Sequence, residues 1–226
     1  MNRAAHRPIV LIAPHPDDEV IGAGGLLARL AATGIPVHIV HVTDGELSVA
    51  ATERRRDQAR LAARRLGATG VEFLGFTTRA LRHQAGLLDR LIAVIELLHP
   101  GVLLIPHEHE SDQDHAEVHL AGREAAFSAT STMVSSPAPT IDLILGFEVW
   151  SPIRRPALCL PVDGTAAINK AEAAAAYRDE VERLGIGEAA QGLGAYRGRM
   201  FAGSTQAEAF TVEHCTVDLP LAVMER

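Results

Sequence analysis

Short apolar runs alternate with amphipathic stretches along this chain, and the alternation predicts strands and helices in turn. Mostly aliphatic runs of four to six residues are typical of strands buried on both faces; they lie at 9–13, 37–42, 71–74 and 102–105. Stretches with apolar residues at helical spacing follow these runs; they predict helices over 19–33, 52–66, 87–98 and 114–128. A regular strand–helix order of this kind indicates parallel strands joined by helical crossovers.

The second half of the chain continues the pattern less regularly. Its predicted elements are three strands and an Ala-rich helix: 141–149, 157–161, a closing strand near Phe210, and about 166–184. The Ser/Pro/Thr-rich segment 131–140 and the Gly-rich segment 185–203 predict loops. The whole pattern predicts a single α/β domain over residues 1–226, with a Rossmann-like, mostly parallel sheet and helices on both faces. Functional residues are expected beyond the carboxyl ends of its strands.

The composition is that of a globular protein, and it narrows the choice of partners. The 226 residues are 47% hydrophobic and 22% charged, which disfavours disordered, collagen-like and disulfide-scaffold classes. Lys and Arg number 21 against 28 Asp and Glu, and the resulting net charge of −7 repels nucleic-acid phosphates. Aromatic residues make up only 4%, so the Arg-rich helix at 52–66 has no base-stacking platform beside it. We expect a small-molecule partner and no nucleic acid.

Two further features predict the compartment. The first apolar run, 9–13, is too short for a signal sequence or a membrane span, and no later run reaches the roughly 18 residues that a span needs. Cys159 and Cys215 are isolated, which argues against a disulfide framework and a Cys-rich zinc site. A cytoplasmic protein without a membrane span is therefore expected. The oligomeric state is not readable from the sequence, and a homo-oligomer stays open.

Four ionisable side chains follow the first predicted strand within five residues: His15, Asp17, Asp18 and Glu19. Carboxylates at the start of a helix act as caps and favour its dipole, which accounts for the acids but not for His15. His15 and Asp18 are three positions apart on a tight turn and can converge on one divalent ion. Asp17 would then point elsewhere and be free to act as a base.

A second cluster, 107–115, follows the fourth predicted strand, and parallel strands would place both clusters on the same edge of the sheet. His115 and His119 share one helix face, but Glu117 lies midway between them, so this is not the zinc-binding HExxH pattern. Two His and one Asp, with room for water, form the ligand arrangement of catalytic zinc. Iron, cobalt or manganese would accept the same donors.

The segment Pro14-His15-Pro16-Asp17-Asp18-Glu19 also resembles the (A/P)HPDDE motif of the LmbE/PIG-L-like zinc-dependent N-acetylglucosaminyl deacetylases. Further segments resemble other motifs of this family in the family's order. They are Thr43–Glu46, Arg55–Gly67, Asp114–His119, Glu148–Pro152 and Glu208–Phe210. With the first motif, they run from residue 13 to residue 210, nearly the whole chain.

This resemblance implies an LmbE-like fold and a hydrolase that removes an N-acetyl or other N-acyl group from a glucosamine-type sugar or glycoconjugate. It implies zinc held by three side chains: His15, Asp18 and His115. It also implies Asp17 as the general base and Arg55 as a contact to the substrate. Asp114 is expected to hold a ring N–H of a ligand histidine.

Two positions depart from the family pattern. Asp112 stands where the family's HPDH motif begins with His, and Gln58 stands where the family's helix carries Glu. An anionic Asp112 would oppose a developing oxyanion, so the metal or another histidine is expected to take that role. The candidate histidines are His107, His109 and His119. These departures keep a second hypothesis open, a non-catalytic metal- or sugar-binding module with the same fold.

Two other enzyme classes fit the sequence less well. Gly22-Ala23-Gly24-Gly25 opens a helix after a strand, but the dinucleotide-binding pattern GxGxxG fails at Leu27. Asp17 and Asp18 would also repel a pyrophosphate, so close packing of helix on sheet is the better account of these glycines. The GxSxG pattern of serine hydrolases does not occur in the chain.

Overall fold

The computed structural model describes residues 7–46, 48–131, 140–177 and 185–216. The described residues form seven strands: β1 (Ile9–Ala13), β2 (Val37–Thr43), β3 (Gly70–Phe76), β4 (Val102–Pro106), β5 (Leu143–Phe147), β6 (Leu158–Pro161) and β7 (Ala207–Cys215). They also form six α-helices: α1 (Asp18–Ala32), α2 (Val49–Leu66), α3 (Leu87–Leu98), α4 (Gln113–Thr130), α5 (Gly164–Ala174) and α6 (Ile186–Arg197). Through α4, the predicted boundaries differ from these by three residues at most.

The strands form one sheet in the order β3-β2-β1-β4-β5-β7-β6. The first five pair in parallel, and β7 runs antiparallel to both β5 and β6, so the prediction of a mostly parallel sheet is confirmed. In register, Ile9 of β1 pairs with Val37 of β2 and with Val102 of β4. The chain therefore winds to opposite sides of β1. Ligands of open α/β sheets bind beyond the carboxyl ends of strands at such a reversal of order.

Helices cover both faces of the sheet because successive strand residues point to opposite sides. Leu11 and Ile39 face one side, where they are buried in a core with residues of α1, α2 and α5. Ile12 and Val40 face the other side and are buried with residues of α3 and α4. The continuous apolar runs at 9–13 and 37–42 predicted strands that are buried on both faces, and β1 and β2 are such strands.

Two later predictions need adjustment. The strand predicted over 141–149 is the shorter β5, and the Ala-rich helix starts at Gly164 and ends at Ala174. Residues 178–184 of that predicted helix and residues 132–139 of the predicted loop lie outside the described residues. That residues 1–226 form one domain stays a prediction. Among the described helices, none has the length and apolar content needed to cross a membrane.

The prediction of a loop over 185–203 is wrong. Most of this segment is α6, and a short, wider helical turn follows over Gly198–Ala202. Two of its glycines, Gly194 and Gly198, allow close packing, whereas Gly185 and Gly203 adopt a positive φ of 62° at the ends of this helical segment. A Cβ on Gly198 would lie 2.7 Å from the backbone nitrogen of Gln206, and a Cβ on Gly194 would collide with the Gln206 side chain. Small residues let this helix lie against the chain that enters β7, a requirement that local sequence does not reveal.

A buried ion pair fastens α1 to β7 and α5. Glu208 Oε1 accepts a hydrogen bond from the Gly25 backbone N–H at 2.7 Å, and Oε2 accepts one from the Leu26 N–H at 2.8 Å. Lys170 Nζ donates to Glu208 Oε1 at 2.6 Å and to the Ile21 carbonyl at 2.9 Å. The Glu208 side chain is 3% exposed. Glu208, in the last of the predicted motifs, thus contacts helix α1, which begins within the first motif.

Replacing Glu208 with Gln should destabilise the fold, because the new amide N–H₂ would face groups that all donate hydrogen bonds. We expect the free energy of unfolding, measured by urea denaturation, to fall by about 3 kcal/mol. Glu172→Gln is the matched control, since Glu172 pairs with Arg65 at 2.9 Å and is 49% exposed. The control should lose less than about 1 kcal/mol. Equal losses in the two variants would contradict the role of the buried pair.

His41, on β2, adds a pH dependence to stability. Its buried ring is stacked on Phe73 with the ring centroids 5.2 Å apart, and burial lowers its pKa from 6.5 to about 4. Below pH 6.5 the unfolded chain binds a proton that the folded chain does not bind until about pH 4. Between these values the free energy of unfolding should therefore fall with falling pH, with about 3 kcal/mol coming from His41.

The measurement is urea unfolding from pH 7 to pH 4 in the presence of a chelator, which removes metal release as a separate source of pH dependence. His41→Phe keeps an aromatic ring against Phe73 but cannot bind the proton. The variant should lack the part of the pH slope that His41 contributes. Parallel slopes for the variant and the wild type would refute this assignment.

Candidate active site

The first cluster lies in the turn that leads from β1 into α1. Asp18 holds this turn, because its Oδ2 accepts a hydrogen bond from the His15 backbone N–H at 2.8 Å. Asp17 has φ 113° and ψ −27°, which residues with side chains rarely adopt, and its own N–H donates to Glu19 Oε2 at 3.0 Å. Backbone strain of this kind costs about 1–3 kcal/mol and concentrates at functional sites.

The second cluster reaches this turn because β4 pairs with β1. Asp112 caps α4 by accepting the backbone N–H groups of Asp114 and His115 at 2.8 and 3.4 Å. His115 Nε2 then lies 3.1 Å from Asp18 Oδ2, and His15 Nδ1 lies 3.3 Å from the same oxygen. One donor atom from each of His15, Asp18 and His115 can be chosen so that all lie within 4.8 Å of one another. The structure thus brings the three predicted metal ligands together.

This donor set fits a divalent cation. The His115 ring is fully buried, and neither of its nitrogens forms a well-aligned hydrogen bond among the described residues, although Nε2 lies 3.1 Å from Asp18 Oδ2. Burial would raise the pKa of Asp18, but His115 and His15 hold it well below its usual range. Burial would lower the pKa of His15, but Asp114 and Asp18 raise it to about 10. The surroundings of these side chains stabilise positive charge, which suits the binding of a cation. Two imidazoles and a carboxylate are also donors that zinc accepts.

Asp114 supports this group through His15. Its Oδ2 lies 3.0 Å from His15 Nε2 and also accepts hydrogen bonds from Thr78 Oγ1 at 3.0 Å and from the Arg79 backbone N–H at 2.8 Å. His15 therefore presents Nδ1 toward Asp18 and Nε2 toward Asp114. A carboxylate on the far nitrogen of a metal-binding imidazole fixes its tautomer and orientation. The Asp114 carboxylate thus contacts the ring of a predicted ligand histidine, and its role in supporting a metal stays a prediction.

Asp114→Asn should weaken metal binding about 10–100-fold, because it removes the charge that orients His15. Competition with a chromophoric chelator measures the dissociation constant directly. Asp89→Asn, on the exposed side of α3, removes the same charge far from the site and should bind metal as the wild type does. Unchanged affinity in Asp114→Asn would show that this contact does not support the metal site.

The Asp17 side chain lies beside the group of His15, Asp18 and His115 but has a different partner. Arg55 Nη2 donates to Asp17 Oδ2 at 3.2 Å, and both side chains are largely buried. Burial, together with the charge of Asp18, raises the pKa of Asp17 well above its usual range, and Arg55 opposes this shift. The Arg55 guanidinium lies 5.5 Å from the ring centroid of Tyr177, whose hydroxyl donates to Glu19 at 2.5 Å. A carboxyl group with a raised pKa is suited to exchanging protons near neutral pH.

The Arg55 side chain is therefore in contact with the predicted base. A contact between Arg55 and the substrate stays a prediction. Other arginines of α2 are paired with acids: Arg56 forms two hydrogen bonds with Asp44, and Arg60 pairs with Asp57 at 2.8 Å.

Asp112, which replaces a family histidine, has a structural role as the cap of α4 and forms an ion pair with Arg79. The three candidate histidines lie in different settings. His107 Nε2 is 2.7 Å from the Ser151 carbonyl, and His119 Nδ1 is 2.8 Å from the Pro106 carbonyl. The His109 side chain is 80% exposed. An oxyanion role for any of them stays a prediction.

Sequence reasoning missed Glu110. Its carboxylate accepts the backbone N–H groups of three successive residues at 2.6–3.2 Å; they are Val149, Trp150 and Ser151. Glu110 Oε2 also lies 3.9 Å from His115 Nδ1. It therefore ties the loop after β5 to the histidine cluster. The signal lay in the Glu148–Pro152 motif, but only the pairing of β4 with β5 reveals the partner.

Fold and site together define an α/β protein with a buried His₂Asp group and an adjacent carboxylate at the carboxyl edge of its sheet. Residues 10–126, more than half of the chain, match the family described as PIG-L: GlcNAc-PI de-N-acetylase. The chain belongs to this family, and the resemblance of its motifs is confirmed.

Individual proteins are similar to this chain in sequence or in fold. The diacetylchitobiose deacetylase of Thermococcus kodakarensis is 29% identical over 157 residues, which cover 64% of this chain and 57% of that protein, less than two thirds of its length. A conserved protein from Thermus thermophilus has a TM-score of 0.82 at 25% identity over 94% of this chain and 97% of its own. The 4-carboxy-2-hydroxymuconate hydratase GalB from Pseudomonas putida has a TM-score of 0.79 at 22% identity, over 93% and 98% of the two chains. The last likeness concerns the fold alone, and a shared fold does not identify the reaction.

Proposed function

We propose that this protein is a metal-dependent amide hydrolase that removes an N-acetyl or other N-acyl group from a glucosamine-type sugar or glycoconjugate. The observation that carries the proposal is the position of Asp17, a strained and buried carboxylate with a raised pKa, directly beside the group of His15, Asp18 and His115. Membership of a de-N-acetylase family and a relative named as a diacetylchitobiose deacetylase support it.

Zinc is the metal we propose, held by His15, Asp18 and His115, with Asp114 orienting His15. Two imidazoles and one carboxylate are a ligand set of catalytic zinc that leaves room for water, although iron, cobalt or manganese use the same donors. When bound, the metal would polarise the amide carbonyl and lower the pKa of water toward neutrality.

The chain's own residues would do the proton transfer. Asp17 takes a proton from the water that attacks the amide carbon, a C–O bond forms, and the C–N bond then breaks. Asp17 then passes this proton to the leaving nitrogen, which gives a carboxylic acid and a neutral amino sugar. At neutral pH the new acid loses its proton and the amine takes one up, so the final products are a carboxylate and a protonated amino sugar. Arg55 keeps Asp17 oriented through the 3.2 Å contact, and its charge limits how far the pKa of Asp17 rises.

The same proposal includes the partners and the location. We propose a small N-acyl amino sugar as the substrate and a cytoplasmic site of action. The location rests on the two isolated cysteines, Cys159 and Cys215, which are not joined by a disulfide.

The decisive experiment measures carboxylate release from a panel of N-acetylglucosamine derivatives, with and without chelator, alongside the metal content of the purified protein. We expect release that stops with chelator and returns with zinc. Chelator-insensitive release would contradict the metal mechanism. Bound zinc without release across the panel would instead favour the binding-module hypothesis. Because a hydratase shares the fold, the hydration of an unsaturated carboxylate is a useful negative control.

A further inference from the structure

A cavity of about 200 Å³ adjoins Asp17 on the side away from the second cluster. It lies between the first turns of α1, one face of α5 and the start of α6, and Asp17 itself forms part of its wall. The carboxylate that would activate water therefore borders this space directly. Any group that extends from the scissile amide toward α5 would enter it.

The wall of this cavity is mainly apolar, with Val20, Ile21, Ala171, Ala174 and Ala190 among the lining residues. Aliphatic side chains of this kind offer no hydrogen bonds to an occupant. The wall therefore favours a group that needs none.

Three polar side chains at this wall, those of Lys170, Tyr177 and Gln206, already have partners within the protein. Lys170 Nζ donates to Glu208 at 2.6 Å, and the Tyr177 hydroxyl donates to Glu19 at 2.5 Å. Gln206 Nε2, on the same wall, donates to the Gln191 backbone carbonyl at 3.1 Å. A sugar ring placed here would lose hydrogen bonds to water and gain few in return, which is costly. An aliphatic chain would lose none.

The other side of the site has the opposite character. Asp112, Arg79 and Thr78 cluster around Asp114 beyond His15, and the Arg79 side chain is 65% exposed. These groups belong with α4 and the loop before α3, whereas α5 packs against the other face of the sheet. The exposed Arg79 guanidinium can donate hydrogen bonds to the hydroxyls of a sugar. The two halves of an N-acyl amino sugar thus have separate places on either side of the reacting amide.

We infer that the cavity receives the acyl chain of the substrate and that the preferred acyl group is longer than acetyl. This inference rests on the proposed amide hydrolysis and adds a substrate class to it. An engineered apolar cavity of about 150 Å³ is large enough to bind benzene, so this one can hold a chain of several carbons. Each methylene that leaves water for an apolar wall should improve kcat/KM by about fourfold.

The first test compares N-acetyl-, N-butyryl- and N-hexanoylglucosamine. The kcat/KM for the butyryl sugar should exceed that for the acetyl sugar by at least tenfold, in line with two added methylenes. A steady decline with chain length would overturn the inference while leaving the amide hydrolase intact.

A matched pair of variants on α6 tests the place of the chain. Ala190 lines the cavity, whereas its neighbour Ala189 is exposed and does not. Ala190→Phe should fill the space and abolish the butyryl-to-acetyl preference, and Ala189→Phe should keep the wild-type ratio. If Ala190→Phe also kept the ratio, the chain would not lie in this cavity.

Two further measurements separate this inference from its alternatives. Hexyl and methyl glycosides of N-acetylglucosamine test whether an apolar aglycone occupies the cavity; a gain with glycoside length and none with acyl length would overturn the assignment. Calorimetry on chelator-treated protein tests the cavity without turnover. Hexanoate should bind more tightly than acetate, and Ala190→Phe should remove the difference. Failure of the proposed function would show instead as no carboxylate release from any sugar, whatever the calorimetry shows.

Discussion

Replacing Asp17 with Asn should lower kcat by about 10²–10⁴-fold and leave the metal content unchanged. The amide cannot take a proton from water, but it keeps the size of the carboxylate. Asn also tolerates positive φ, so the strained backbone at 113° should persist. Among the described contacts, the Asp17 side chain pairs with Arg55 and not with His15 or His115, so Asp17 is not expected to be a metal ligand. Assay of acetate release and metal analysis of the same preparation test both parts.

Asp57→Asn serves as the control for this experiment, because Asp57 is 77% exposed on α2 and its change removes the same charge from the surface. It should retain wild-type turnover. Turnover at the wild-type rate in Asp17→Asn would contradict the assignment of Asp17 as the general base. Loss of metal from this variant would instead place Asp17 among the ligands.

Replacing Asp18 with Ala should abolish metal binding, and activity with it. Asp18 Oδ2 is the atom that both imidazoles approach, at 3.1 Å from His115 Nε2 and 3.3 Å from His15 Nδ1. Without it, only two imidazoles remain to hold a divalent ion. The loss of affinity should exceed the roughly 10–100-fold expected for an outer carboxylate such as Asp114. Metal content after dialysis and a chelator competition measure it.

His115→Ala should give the same result, because His115 supplies the donor from the second cluster. Circular dichroism and urea denaturation of both variants in chelator guard against simple unfolding. The roles of the adjacent residues Asp17 and Asp18 should therefore be distinguishable: Asp17→Asn should lose turnover alone, whereas Asp18→Ala should lose both metal and turnover. Full metal occupancy in a folded Asp18→Ala protein would contradict the ligand set.

The prediction from sequence succeeded where burial leaves a local pattern. A strand buried on both faces must be apolar throughout, and Ile9–Ala13 is. Helix ends marked by Gly67 or by His99-Pro100 were readable because those residues stop a helix through their own backbone preferences. The same local logic failed over 185–203, where glycines that allow close packing resemble glycines that form loops.

The sequence by itself determined the alternation of strands and helices and the chemical types gathered at the site, since spacing along the chain decides which residues share a face or a turn. It brought His15 and Asp18 together because they are three residues apart. The sequence indicated that Asp114 would hold the ring of a ligand histidine, but only the tertiary structure decided that this ring is the one of His15, 99 positions away. It also decided that Glu208 meets Gly25, 183 positions away. The apolar cavity beside Asp17 is of the same kind. Its walls come from helices that meet only when the sheet has formed, so no local pattern encodes it.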